Sequence, residues 1–136
     1  MLALLLLKVY IPVIAISCVC VSHDEAPSRA PMPISVNFIN ATTILIVWED
    51  NIPCHLRNSH ITGFSFRVDS LNQYQSVLML NTSSQEGEQH AFNLTGLSPG
   101  IDYRISVAAV NSVGELGGYS SESTIQLPSY DGKYIS

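Results

Sequence analysis

Residues 94–111 read LTGLSPGIDYRISVAAVN. Ser98-Pro99-Gly100 is turn chemistry: proline presets φ for the first corner of a tight turn, and glycine takes backbone conformations that other residues avoid. Eight residues follow, 103–110, in which Tyr103, Ile105, Val107 and Ala109 fall on alternate positions. Side chains on a strand point to opposite faces in turn, so these four share one side, and the stretch is a turn feeding a half-buried strand.

The same grammar recurs outward from this stretch. Short runs of period two lie at 43–48, 61–68, 74–80, 89–94 and 120–127, and none is a helical pattern of ten residues. Between them stand Asp50-Asn51-Ile52-Pro53, Asn81-Thr82-Ser83-Ser84 and Gly114-Glu115-Leu116-Gly117-Gly118, all loop or turn material. Residues 26–33, APSRAPMP, hold three prolines. They are excluded from a helix or central strand and are expected to lead into an edge strand. Many short strands separated by turns every eight to twelve residues imply an all-β antiparallel sandwich. Alternation assigns Ile44, Ile46 and Trp48, then Phe64, Phe66 and Val68, then the Tyr103 set to its core, with the single tryptophan at the centre because of its large apolar area.

Several of these residues also stand in a recognisable order. Trp48 ends the second strand, Ile61-x-Gly63-Phe64-x-Phe66 opens the third, Leu94-x-Gly96-Leu97-x-Pro99 leads to Tyr103, and Val107-x-Ala109-Val110-Asn111-x-x-Gly114 follows. In this the chain resembles a fibronectin type III domain, with Phe64 where that family more often has tyrosine. The resemblance implies a seven-stranded immunoglobulin-like sandwich, with one sheet from the first, second and fifth strands and the other from the third, fourth, sixth and seventh. It also implies a tyrosine corner built on Leu97, Pro99 and Tyr103, in which the phenol bonds back to the backbone.

The domain is expected over residues 31–128, with a linker at 23–30 and a short tail at 129–136. Residues 1–22, MLALLLLKVYIPVIAISCVCVS, carry one charge, Lys8, and reach only Val21 before polar residues begin. This is signal-peptide length, short of a membrane span, and Ser17, Cys20 and Ser22 are small residues suited to cleavage; a cut after Cys20 or Ser22 is expected. An uncleaved signal anchor is the rival reading, and the only route by which a membrane enters. Three N-x-[ST] triplets, at Asn40, Asn81 and Asn93, agree with passage through a secretory pathway. With the leader gone, Cys54 has no partner in the chain and is expected as an unpaired thiol.

Little in the sequence points to chemistry. The net charge is −5, and one unit more negative without Lys8, with no basic cluster, which argues against nucleic acid. Cys54, His55 and His60 could be drawn as metal ligands, but a fourth is lacking, and no phosphate-cradling loop or nucleophile motif is present. No cofactor is expected and the chain is read as a non-enzyme. Outward Arg67, Arg104 and Ser106, or the loops at 54–57 and 113–116, are the expected partner surface. The loop before the last strand has no Arg-Gly-Asp, and residues 119–123 lack a Trp-Ser-x-Trp-Ser element. The resulting expectation is a secreted, extracellular protein-interaction or adhesion module with a protein ligand. A signal-anchored receptor fragment and a secreted accessory or inhibitor of an extracellular enzyme are the alternatives.

Overall fold

The computed structural model describes residues 24–129, apart from 33 and 72. Seven strands and one short helix follow in the order β1 (Ile34–Asn40), β2 (Thr43–Asp50), α1 (Cys54–Arg57), β3 (Ile61–Ser70), β4 (Gln73–Ser84), β5 (Glu88–Leu94), β6 (Asp102–Asn111) and β7 (Ser123–Gln126). They form two antiparallel sheets, β1-β2-β5 and β4-β3-β6-β7, the division that the resemblance implied.

The inward sets expected from alternation are the core. Ile44, Ile46, Trp48, Phe64, Phe66, Val68, Tyr103, Ile105, Val107 and Ala109 are all buried, joined by Ile52, Ile61, Leu94, Leu97 and Leu127. Trp48 sits at the junction of the sheets. Its ring meets Phe64 and Phe66 edge-on, at centroid distances of 5.1 and 4.9 Å, and stacks on His90 at 5.5 Å. Edge-to-face pairs of this kind contribute about 0.5–1.5 kcal/mol each beyond the area they bury. Phe92 reaches across from β5 to stack on Phe66 at 5.3 Å.

The tyrosine corner forms as expected. The Ser98 amide donates to the Tyr103 phenol oxygen at 2.8 Å, Leu97 is buried, and Pro99 is half-buried in the turn. The Leu97 amide donates to the Thr42 carbonyl at 3.0 Å, so the crossover is pinned to the start of β2.

The structure departs from the expected strands in two places. The fourth run continues past Leu80 to Ser84, and Asn81, expected in a loop, lies within β4 at φ 61°. The β3–β4 register slips there, from Gly63↔Leu80 to Ile61↔Ser84, which makes room for the left-handed residue. The last run is shorter than the expected 120–127. Ser120 replaces a strand carbonyl with its own side chain: the Val107 amide donates to Ser120 Oγ at 3.0 Å, while the Ser120 amide returns to the Val107 carbonyl at 2.8 Å. Regular pairing with β6 therefore begins only at Ser123.

Candidate functional site

The outer face of the four-stranded sheet is built by the residues that alternate with the core set. The register places Leu80 beside Gly63, Leu78 beside Ser65 and Ala108, Ser76 beside Arg67 and Ser106, and Tyr74 beside Asp69 and Arg104. The face has two halves. At one end Leu78 and Leu80 are 60% and 55% exposed, and Leu80 packs its side chain over Gly63, where an added Cβ would come within 2.5 Å of the Met79 carbonyl. At the other end Arg67 and Arg104 present side chains that are 48% and 53% exposed. Arg67 lies 4.8 Å over the Tyr74 ring with Nε 3.5 Å from Asp69, and Arg104 Nε is 4.0 Å from Glu122. Exposed pairs of this kind are worth little to stability, so the charges stay available to a partner.

Ser106 was expected on this face, and the structure corrects that expectation: it is only 3% exposed. Parity places it outward, but the outer face is covered in this part of the sheet. Residues 117–120 hydrogen-bond along β6, and Tyr119 bonds Ser65 Oγ at 2.8 Å, so that Ser65 and Ala108 are buried too.

Arg57 also leaves the expected loop surface. It turns inward from α1 onto Asp50, the last residue of β2, whose position continues the inward series Ile44, Ile46, Trp48. Arg57 grips both carboxylate oxygens, Nη1 on Oδ1 at 3.0 Å and Nη2 on Oδ2 at 2.7 Å, and donates to the carbonyls of Ile52 and Ser84 at 2.8 and 2.7 Å. The Ile52 amide and the Ser84 hydroxyl complete the carboxylate at 3.1 and 2.6 Å. Removing two charges from water is costly, and a bidentate pair with every lone pair occupied is the arrangement that offsets the cost.

His90 extends this network. Its Nε2 lies 2.8 Å from Ser84 Oγ and 3.2 Å from Glu88. Aspartate, serine and histidine thus stand together, but the serine proton is directed at Asp50, so His90 Nε2 is the donor to Ser84 Oγ. The carboxylate that accepts that proton is itself held by Arg57 and the Ile52 amide, and Ser84 is buried. Among the described residues, no group of three His, Cys, Asp or Glu residues could hold a metal ion. None of Asp50, Ser84 and His90 was singled out from the sequence for this network. One signal was available: a carboxylate at an inward position of a strand demands a cation, and Arg57 is the next basic side chain after it apart from histidine.

The helix α1 carries a further correction. Cys54, expected as an unpaired thiol, is in a disulfide. That expectation discarded Cys18 and Cys20 with the leader, and these are the only other cysteines in the chain; both lie outside the described residues. Alongside, residues 25–28 are strapped to the same end of the sandwich. The Ser28 amide donates to the Leu56 carbonyl at 2.7 Å, Asn58 Nδ2 to the Ala26 carbonyl at 2.7 Å, and Asn111 Nδ2 to the Glu25 carbonyl at 2.7 Å. Pro27 is buried against Gly117, where a Cβ would meet the Pro27 carbonyl at 2.8 Å.

All three sequon asparagines are exposed. Asn40 ends β1 in a tight turn, its Oδ1 accepting from the Thr42 amide at 3.0 Å and the Thr42 hydroxyl at 3.1 Å. Asn93 lies on β5 opposite Leu45, and Asn81 on the edge strand of the other sheet. His55 follows Cys54 in α1, and His60 lies just before β3.

Comparison with known proteins locates this architecture. The family model for the fibronectin type III domain matches residues 29–126. The chain is 27% identical over 96 residues to the cell adhesion molecule Dscam1 of Drosophila melanogaster, covering 69% of this chain and 5% of that protein. It is 32% identical over 103 residues to the proto-oncogene tyrosine-protein kinase ROS of Mus musculus, covering 76% of this chain and 4% of that protein. The chain thus spans only a small fraction of these relatives. Among solved structures, the FN1–FN3 domains of chicken CNTN1 superpose with a TM-score of 0.58 at 26% identity, over 76% of this chain and 33% of that one. Among the described residues, no helix is long and apolar enough to cross a membrane.

Proposed function

The chain belongs to the fibronectin type III family, and from that premise we propose that it is an extracellular protein-interaction module acting in adhesion, without catalysis. The observation that carries this reading is the outer face of β4-β3-β6. Half-exposed Arg67 and Arg104 lie beside an apolar end formed by Leu78 and Leu80, while the polar cluster around Asp50 and Arg57 is buried and bonded within itself. A mixed apolar and cationic surface suits a protein ligand, since interface anchors are commonly arginine set among apolar side chains. The similarity to a cell adhesion molecule supports the same class of partner. A secretory leader delivers the chain, and Asn40, Asn81 and Asn93 carry glycans. Asn40 and Asn93 crowd the β1-β2-β5 side and leave most of the opposite sheet open, with Asn81 at its rim.

The test uses a multivalent form of the secreted chain titrated onto cells of its own organism. Binding lost after trypsin treatment of the cells, and weakened about tenfold or more in the Arg67→Glu/Arg104→Glu variant, is the expected result. Binding unchanged in that variant removes the sheet face, and binding insensitive to trypsin removes the protein ligand.

A further inference from the structure

We propose that two copies of this chain join edge to edge through β4, in a two-fold antiparallel pairing centred on Val77 that makes one continuous sheet of their two four-stranded ones. β4 pairs only with β3, so the other side of its ladder is open. Sheet edges are normally blunted by charge, proline, a bulge, shortness or cover. The other edges of this sandwich follow that rule. β7 is four residues long, β5 carries Glu88 and the Asn93 sequon, and β1 bulges between Phe38 and Asn40 and packs along β7. The β4 edge stays bare up to Leu80. Its twelve residues include no charge and no proline, and Val77 to Leu80 are four apolar residues in a row.

The occupant is a second copy because the strand complements itself. The regular run ends at Leu80, since Asn81 takes φ 61° and the register with β3 slips beyond it. Opposed residues of an antiparallel pair lie on one face, so a two-fold axis normal to the sheet passes through a residue. With Val77 on that axis, Tyr74–Leu80 pairs along its whole length, about 24 Å, and the pairing stops short of Asn81. On the outer face exposed Leu80 meets the partner's Tyr74, and exposed Leu78 meets the partner's Ser76, each contact occurring twice. Aromatic–aliphatic and large–small pairs suit the close approach of opposed strands. On the inner face Val77 and Met79, half-buried against the core, gain the cover they lack.

Charge favours the same contact. Each chain carries a net charge of −5, so most approaches of one copy to another are repulsive. The β4 edge offers an uncharged strip, and Arg67, opposite Ser76 on β3, stays about 16 Å from its counterpart across the junction, some two Debye lengths at physiological salt. The pairing consumes both open edges, so it closes at two copies. Contact along a single strand is small for a protein interface and gives a dissociation constant of about 10–100 µM. The consequence for recognition is bivalence: Arg67 and Arg104 of each copy then flank a shared apolar centre on one surface.

The test follows the full chain from a eukaryotic secretory host, its disulfide intact, by sedimentation velocity from about 1 to about 300 µM. The expected result is a monomer passing to a dimer with no larger species, and a dissociation constant raised about tenfold or more by Leu78→Lys and by Tyr74→Lys. Both side chains are exposed, and an unchanged urea midpoint verifies that each variant is folded. Backbone amide exchange at the two ends of the concentration series locates the contact: amides within 74–80 slow as the dimer forms, and those of β1, β5 and β7 do not. A chain that stays monomeric throughout overturns the proposal, as does a dimer that survives both folded variants or slows exchange in another strand alone. Association that continues past two copies, that ends on reduction, or that is lost in Arg67→Glu/Arg104→Glu overturns it as well. The cell-binding test is read separately, because its multivalent form does not depend on this pairing.

Discussion

The two ends of the sandwich are closed by opposite means. Where β2 and β6 begin, closure is apolar and local. Leu97, Pro99 and Tyr103 close one crossover, with the Ser98 amide donating to the Tyr103 phenol at 2.8 Å and the Leu97 amide to the Thr42 carbonyl at 3.0 Å. Where β2 and β6 end, closure is ionic and assembled from distant pieces: Asp50 from β2, Arg57 from α1, Ser84 from β4, His90 from β5 and the strap at 25–28. The first end tolerates change one bond at a time. The second is cooperative, because removing one partner strands another where water cannot reach it.

Breaking the ionic end has the largest expected effect. Arg57→Ala leaves the Asp50 carboxylate buried without its cation and costs about 3–5 kcal/mol, read as a lower urea midpoint followed by Trp48 fluorescence. Next is the covalent tie at the same end. Cys54→Ser keeps the fold, and urea unfolding under the same conditions shows a loss of about 2–4 kcal/mol that vanishes when both proteins are compared under reducing conditions. At the apolar end Tyr103→Phe removes one hydrogen bond and little packing. A loss of about 1–2 kcal/mol is expected, and a loss as large as that of Arg57→Ala would show that the two ends do not differ as described. The smallest effect belongs to the exposed face. Arg67→Glu/Arg104→Glu shifts stability by under about 0.5 kcal/mol while weakening cell binding, which separates a surface for recognition from the groups that hold the fold.

The same contrast explains what was legible in the sequence. Trp48, Phe64, Phe66 and Tyr103 could be placed because alternation is a local rule, and the corner spans only seven residues from Leu97 to Tyr103. The ionic end escapes such a rule: Ser84 lies 34 residues from Asp50, and nothing near Ser84 marks it as a core residue. The same holds for Ser106, where parity is correct but burial on the outward side follows no local pattern. Cys54 was misjudged for a different reason. The reading set Cys18 and Cys20 aside together with residues 1–22, and spacing within the domain says nothing about that choice.

Asn81 has a consequence beyond its triplet. β4 is an edge strand twelve residues long, and an edge of that length bearing exposed Leu78 and Leu80 is a template on which further chains could stack into fibres. A left-handed residue at the ninth of its twelve positions turns the backbone out of the ladder after Leu80. In this position asparagine shortens the regular edge by backbone conformation alone, whether or not a sugar is attached.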